Sequence, residues 1–460
     1  MTTTAWWQDA TFYSIYPLGY CDAPRVNDGT SAPTSRIELI ASDLERIADL
    51  GFSALYLSPV FESGSHGYDT HDYFSVDRRL GTDDDLAALV RAAHERGIRV
   101  VLDGVYNHVG RGFRAFERLR RGGEASEYRS WFRGVDFTRD NRFGDGFVYE
   151  GWEGVDELVA LDHSQPAVRE LLFEAAGHAL DRYGVDGIRL DVAYSLPLDF
   201  LDELSHRLRE KKPDVRLVGE VIHGDYPAFV RDGRLHGITN YECYKGLWSS
   251  FNDHNMHEIG YSLNRLFGDG GLLEPALRRG HAPLNFADNH DVSRLATKLT
   301  TYEHVYPAYA LLWTMPGIPS VYYGSEYGME GRKHDGDHEL RPRKAAIEQA
   351  RHHDRGRALA RYIRELNAVR GTSEALRSGA YRQIAVASGS LVFERFAFGG
   401  TAERVLVAVN ADPEPITVSL SAEYAGSYRC LYGGEQVELG AGSPVLDVPG
   451  FGSRILRREA

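Results

Sequence analysis

The chain has 460 residues, 43% of them hydrophobic, which is enough for a large core plus one or two smaller units and excludes a lone small domain. Its 66 acidic residues exceed the 52 basic ones by 14, spread along the chain, which argues against nucleic acid or an anionic membrane as partner and suits a neutral ligand. Cys21, Cys243 and Cys430 are too few and too far apart for a disulfide framework or a metal-binding spacing, and neither a secretory leader nor a membrane-length apolar stretch is evident, so a cytoplasmic location is expected.

In chain order, TFYSIYPL reads as a first buried strand, and Ser35-Arg36-Ile37-Glu38 has the spacing of a capping box opening a helix with Leu44, Ile47 and Leu50 on its apolar face. FSALYLSPV is the next strand. Thr82 followed by Asp83, Asp84 and Asp85 suits a helix N-terminus, and Gly97 closes that helix before the strand RVVLDGVYN. Pro166 fits a first helical position, with Leu171, Leu172, Ala175 and Leu180 as apolar face and Gly184 as stop before GIRLDVA. VRLVGEV, GITNYE, PLNFADNHD and IPSVYYGSE complete eight strands. Eight strands in βα alternation predict an α/β fold, a (β/α)8 TIM barrel of parallel strands.

Residues 109–162 are too long for an ordinary βα loop and are expected to form an inserted subdomain after the third strand. Its aromatics Trp131, Phe132, Phe147, Tyr149 and Trp152 are expected to gather over the barrel mouth and narrow it. Beyond a helical stretch near Arg351 to Arg370, short alternating segments such as RVLVAVN and ITVSLS predict a C-terminal antiparallel β-sandwich. The expected division is 1–108 with 163–375 for the barrel, 109–162 for the insertion and 376–460 for the sandwich.

The mouth of such a barrel is built from residues at the C-terminal strand ends. Asp191 ends GIRLD, Glu220 ends VRLVGE and Asp291 ends PLNFADNHD, with Arg189 two residues before Asp191 and His290 beside Asp291. One carboxylate there would be an ordinary cap or surface charge. Several converging on one mouth need a function to offset their repulsion.

These segments resemble the α-amylase family of glycoside hydrolases, family 13. DGVYNH (Asp103 to His108), GIRLDVAY (Gly187 to Tyr194), GEVI (Gly219 to Ile222) and NFADNHD (Asn285 to Asp291) are similar to its four signatures, in its order. GYDTHDY (Gly67 to Tyr73) is similar to a further segment, and Asp337 and Arg341 in DGDHELRP resemble an Asp and an Arg placed beside the sugar to be cleaved. The nearest group within the family is the cyclomaltodextrinases, neopullulanases and maltogenic amylases. The chain departs from it in having Ile222 where Trp is usual and in starting its first strand near Thr11, without the group's N-terminal domain.

The resemblance implies a retaining hydrolase of short or cyclic malto-oligosaccharides, cutting α-1,4 and also α-1,6 bonds; its alternative is a transglycosylase or an α-1,6-specific glucosidase with the same machinery. Asp191 would be the nucleophile, Glu220 the acid and base, and Asp291 a binder of the ring hydroxyls, the first two about 5 Å apart. Arg189 would keep Asp191 ionised, while two nearby Asp residues would raise the Glu220 carboxyl. His108 and His290 would donate hydrogen bonds to the sugar, Tyr68 would stack under it, and Asp69 would turn towards Arg341. The partner is then an oligosaccharide, with neither nucleic acid nor membrane involved, and a homodimer is implied by the group. No cofactor is required and no metal is expected. Asn107 and the set Asp22, Asn27 and Asp28 stand where many relatives hold structural calcium, but without an EF-hand spacing.

Overall fold

The computed structural model describes residues 6–334, 338–398 and 403–459. Eight short strands form one parallel sheet: β1 (Phe12–Ile15), β2 (Ala54–Leu57), β3 (Arg99–Gly104), β4 (Gly187–Leu190), β5 (Arg216–Gly219), β6 (Gly237–Ile238), β7 (Leu284–Phe286) and β8 (Ile318–Tyr322). Their order is β6-β5-β4-β3-β2-β1-β8-β7, and a parallel bridge from Thr239, directly after β6, to Leu284 in β7 closes the circle. A closed sheet leaves no edge, so these strands are apolar and buried almost throughout. This is the expected TIM barrel.

Local chemistry sets the helices between them. The helix α1 (Asp83–Glu95) begins in a reciprocal capping box between Thr82 and Asp85, and α2 (Pro166–Tyr183) starts on its proline and ends at Gly184 in the left-handed conformation, φ 76°. The box expected at Ser35 and Glu38 does not form. The Ser35 hydroxyl instead donates to Asp85 Oδ2 at 2.9 Å, and the helix there begins after Ile37 without a side-chain cap, then breaks before Leu44. One carboxylate thus serves both the α1 cap and the loop packed against it.

After β3 the chain forms a three-stranded antiparallel sheet from His108–Gly110, Gly151–Trp152 and Val155–Ala160, with the helix Arg114–Gly122. Its core is aromatic. Phe116 meets the rings of Phe132, Phe147 and Tyr149 at centroid distances of 5.1, 6.1 and 4.9 Å.

The C-terminal strands begin at Ala380, four residues later than expected, because Ser373 caps one more helical turn, Glu374–Ser378. A six-stranded antiparallel sheet carries a two-stranded one, Ile416–Ser419 with Val445–Val448, on one face. Alternation decides what each face does: Val405, Val407 and Val409 join the barrel's core, while Leu406 and Ala408 face the small sheet. Two buried arginines stitch the joint through backbone carbonyls. Arg395 donates to Thr314, Gly379 and Ala380, and Arg370 to Gly317 and Leu376. Among the described residues no helix is long and apolar enough to cross a membrane.

Candidate active site

Asp103 and Arg189 are register partners on β3 and β4, so their side chains enter the barrel mouth side by side. The Arg189 guanidinium lies at the centre of three carboxylates. Its Nη1 donates to Asp103 Oδ1 and to Asp191 Oδ1, each at 2.8 Å, and its Nη2 lies 2.9 Å from Glu220 Oε1. All four side chains are buried. Tyr56 on β2 and Tyr68 also donate to Asp103 Oδ2, at 2.7 and 3.0 Å.

The sequence reading surrounded Glu220 with anions alone. The fold places a cation there, and two further donors: the Val192 backbone N–H at 3.0 Å from Oε2 and the Tyr241 hydroxyl at 3.3 Å from Oε1. Val192 reaches that position only by adopting a left-handed backbone, φ 39° and ψ 46°, a strained choice for a β-branched residue. For Asp191, burial raises the carboxyl well above the usual carboxylate range; Arg189 opposes this, and Glu220 and Asp103 reinforce it. Contact with Arg189 is therefore as expected, but desolvation outweighs it. The neighbouring carboxylates Glu220 and Asp103 are thus part of what sets the Asp191 carboxyl.

Asp291 lies just beyond β7. Burial opposes its ionisation, yet His290, whose Nε2 is 2.9 Å from Oδ2, and Arg341, 3.6 Å from Oδ1, outweigh it and hold the carboxyl well below the usual range. His290 is stacked between Tyr68, 5.5 Å away, and Tyr16, 6.1 Å away, and Arg341 covers the Tyr16 ring at 4.5 Å. Asp69 is turned by the Ser65 hydroxyl, 2.8 Å from its Oδ2, and by His66 Nδ1 at 3.7 Å. Asp337 lies outside the described residues. His108, stacked on Trp152 at 5.5 Å, is pushed down to about 3 by burial, so it is neutral, and its Nε2 is buried without a hydrogen-bond partner. A neutral histidine with an unsatisfied nitrogen is equipped to bond a ligand hydroxyl.

His163, which directly follows the insertion in the chain, shows the stability consequence of such burial. Desolvation pushes it down to about 4 from an ordinary 6.5, and its Nε2 bonds the Tyr106 carbonyl at 3.0 Å. Above pH 6.5 both folded and unfolded forms are neutral. Below it the unfolded chain takes up a proton that the folded one refuses, so stability is lost as pH falls towards 4. His163→Gln, which keeps an N–H donor, is expected to lose about 2 kcal/mol less than the native protein between pH 7 and pH 5 in urea denaturation. Equal losses in the two proteins would count against this.

Asp191, Glu220 and Asp291 share the wall of one cavity of about 530 Å³ with Tyr68, His108 and Arg341. Of the five insertion aromatics expected at the mouth, only Trp152 lines this cavity, because Phe132 and Phe147 form the insertion's own core and Trp131 packs on Tyr128. Tyr194 and Tyr241, which the sequence reading passed over, line it instead, together with the exposed Ile222. Tyr241 carried a signal: it stands three residues past β6, at the same strand-end level as the carboxylates. As for calcium, Asn27 and Asp28 already spend their side-chain oxygens on the N–H groups of Gly29, Thr30 and Ser31, and Asn107 Oδ1 is buried with no hydrogen-bond partner. Among the described residues no three His, Cys, Asp or Glu side chains are grouped to hold a metal ion.

The family profile described as "Alpha amylase, catalytic domain" matches residues 15–375. The chain belongs to the α-amylase family. It is thus a glycosidase, and its eight-stranded barrel with a C-terminal antiparallel sheet is that family's architecture. A cyclomaltodextrinase from Bacillus sp. is 29% identical over 447 residues, covering 93% of this chain and 75% of that protein. A cyclic alpha-maltosyl-(1→6)-maltose hydrolase from Arthrobacter globiformis, solved in complex with cyclic alpha-maltosyl-(1→6)-maltose, is similar at a TM-score of 0.82 and 27% identity, covering 99% of this chain and 100% of that one. A debranching enzyme from Nostoc punctiforme is similar at a TM-score of 0.81 and 28% identity, covering 99% of each.

Proposed function

We propose that the chain is a retaining hydrolase of short or cyclic malto-oligosaccharides, acting through Asp191, Glu220 and Asp291. The observation that carries this reading is that one buried guanidinium, Arg189, orients both Asp191 and Glu220 on the wall of a cavity they share with Asp291. Asp191 attacks the anomeric carbon as the glycosidic C–O bond breaks, and Glu220 gives its proton to the departing oxygen. Glu220 then takes a proton from water, whose oxygen displaces Asp191 from the sugar. Asp291, kept anionic by His290 and Arg341, accepts hydrogen bonds from ring hydroxyls, and these strengthen as the ring distorts.

The names of the relatives support short, cyclic and branched α-glucans, and the end-to-end match to a hydrolase of a (1→6)-linked ring favours α-1,6 as well as α-1,4 cleavage. A sugar hydroxyl in place of water would give transfer by the same steps. The three free, buried cysteines support a reducing, cytoplasmic setting, where only small imported glucans are met.

Product analysis tests the reading. With maltotriose, panose, a cyclodextrin and soluble starch as substrates, the best small sugar should exceed starch in kcat/KM per chain end or ring. NMR of the first product should show the α anomer, since two displacements at one carbon restore its configuration. β anomer appearing first removes Asp191 as nucleophile.

A further inference from the structure

A cavity of about 560 Å³ lies between two helices of the barrel's outer layer, Leu44–Asp49 before β2 and Asp354–Gly371 after β8. None of its lining residues lines the catalytic cavity, and its volume suits a small ligand.

One wall is basic. In the helix Asp354–Gly371, Leu359, Ile363 and Leu366 are buried, and Arg357, Arg361 and Arg364 follow one another at helical spacing along the exposed side. Arg351, at the end of the preceding helix Lys344–Arg351, adds another guanidinium. Two of the cavity's arginines are already spent: Arg357 on Asp354 and the His352 carbonyl, and Arg46, across the cavity, on Asp43 and Glu326. Arg351, Arg361 and Arg364 form no ion pair among the described residues, although Glu45 and Asp49 line the same cavity. The space between the helices keeps those charges apart.

The opposite wall accepts hydrogen bonds. Glu45 and Asp49 stand one turn apart on the helix Leu44–Asp49, and a carboxylate accepts readily from hydroxyl groups. Tyr327 also lines the cavity; its hydroxyl accepts from Arg46 Nη1 at 3.1 Å, which leaves its own proton to donate. Lys344 Nζ donates to the hydroxyl of Ser42, a further lining residue, at 2.9 Å and adds positive charge at that end. A lining with guanidinium forks on one side and acceptors on the other fits a molecule that carries an anion at one end and hydroxyls at the other. Such forks match the oxygens of a phosphate.

We propose that this cavity binds a sugar phosphate, with the phosphate on Arg351, Arg361 and Arg364 and the sugar hydroxyls on Glu45 and Asp49. A neutral sugar leaves the guanidinium groups without a partner, and a bare phosphate faces two carboxylates with no hydroxyl between. The site is separate from the catalytic carboxylates and does not depend on the hydrolase reading.

Calorimetric titration of the chain with glucose 6-phosphate, inorganic phosphate and glucose tests this. Glucose 6-phosphate should bind about tenfold or more tightly than phosphate, the gain expected of a few added hydrogen bonds. In Arg361→Gln/Arg364→Gln its affinity should fall about tenfold or more, because charge-assisted bonds to the phosphate are lost. That loss also assigns the signal to this cavity, since sugar bound at the catalytic carboxylates would be unaffected. Glu45→Ala/Asp49→Ala should bring the two affinities close to equality, because hydroxyl acceptors are removed for one ligand and repulsion is relieved for the other. These are exposed positions, so the thermal unfolding of each unliganded variant should stay close to that of the native chain. No binding of glucose 6-phosphate at millimolar concentration, an affinity no better than that of phosphate, or an affinity unchanged in Arg361→Gln/Arg364→Gln each overturns the proposal.

Discussion

Asp191→Asn and Glu220→Gln should each remove nearly all turnover while leaving the fold intact, and an activated leaving group should tell them apart. Both changes keep the shape of the side chain and its contact with Arg189, so only the nucleophile or the proton is lost. Without its nucleophile the enzyme should fall about 10⁴-fold or further in kcat on every substrate. Loss of the general acid should cost about 10²–10⁴-fold on malto-oligosaccharides, whose leaving hydroxyl needs a proton. On an aryl glycoside with an acidic phenol the leaving group departs unprotonated, so Glu220→Gln should recover much of the first displacement, seen as a burst of phenol, whereas Asp191→Asn should not. A burst in the Asp191 variant, or near-native rates on maltotriose in either, would refute the assignment.

Arg189→Met should produce the largest stability change of any single site substitution, and its size should depend on pH in a set direction. The native guanidinium faces Asp103, Asp191 and Glu220 in a buried site, and removing it leaves three carboxyls without that countercharge. Breaking a buried ion pair from one side typically costs about 3–5 kcal/mol. In the variant, the Asp191 carboxyl, raised by burial already in the native site, loses the opposing cation and stays above its unfolded range. It binds a proton that the unfolded chain releases, so stability is retained below the unfolded carboxyl range near pH 4 and lost as pH rises. Urea denaturation should therefore show a larger deficit at pH 8 than at pH 5. Arg189→Lys should not restore it, because one ammonium cannot span the geometry of a planar fork. A deficit independent of pH would mean that packing, not charge, is what Arg189 supplies.

The sequence by itself determined the barrel and the places to look within it. Strand apolarity and helix caps are local properties, and Thr82, Pro166 and Gly184 mark their helix ends in the structure as their residue types require. Strand-end position likewise singled out Asp191, Glu220 and Asp291, since a parallel barrel brings every C-terminal strand end to one mouth. Local signals failed where the partner was distant in the chain. Ser35 turned to Asp85 instead of Glu38, and the insertion's aromatics turned inward on Phe116 because no periodicity in an irregular segment tells a core face from an exposed one. Only the tertiary structure decided the electrostatics: sequence spacing put Arg189 beside Asp191, but register and the strained turn at Val192 brought Asp103, Glu220 and a backbone N–H to the same point. A pKa depends on how much water is excluded and on every charge within a few ångströms. Both are set by packing between segments that the sequence keeps far apart.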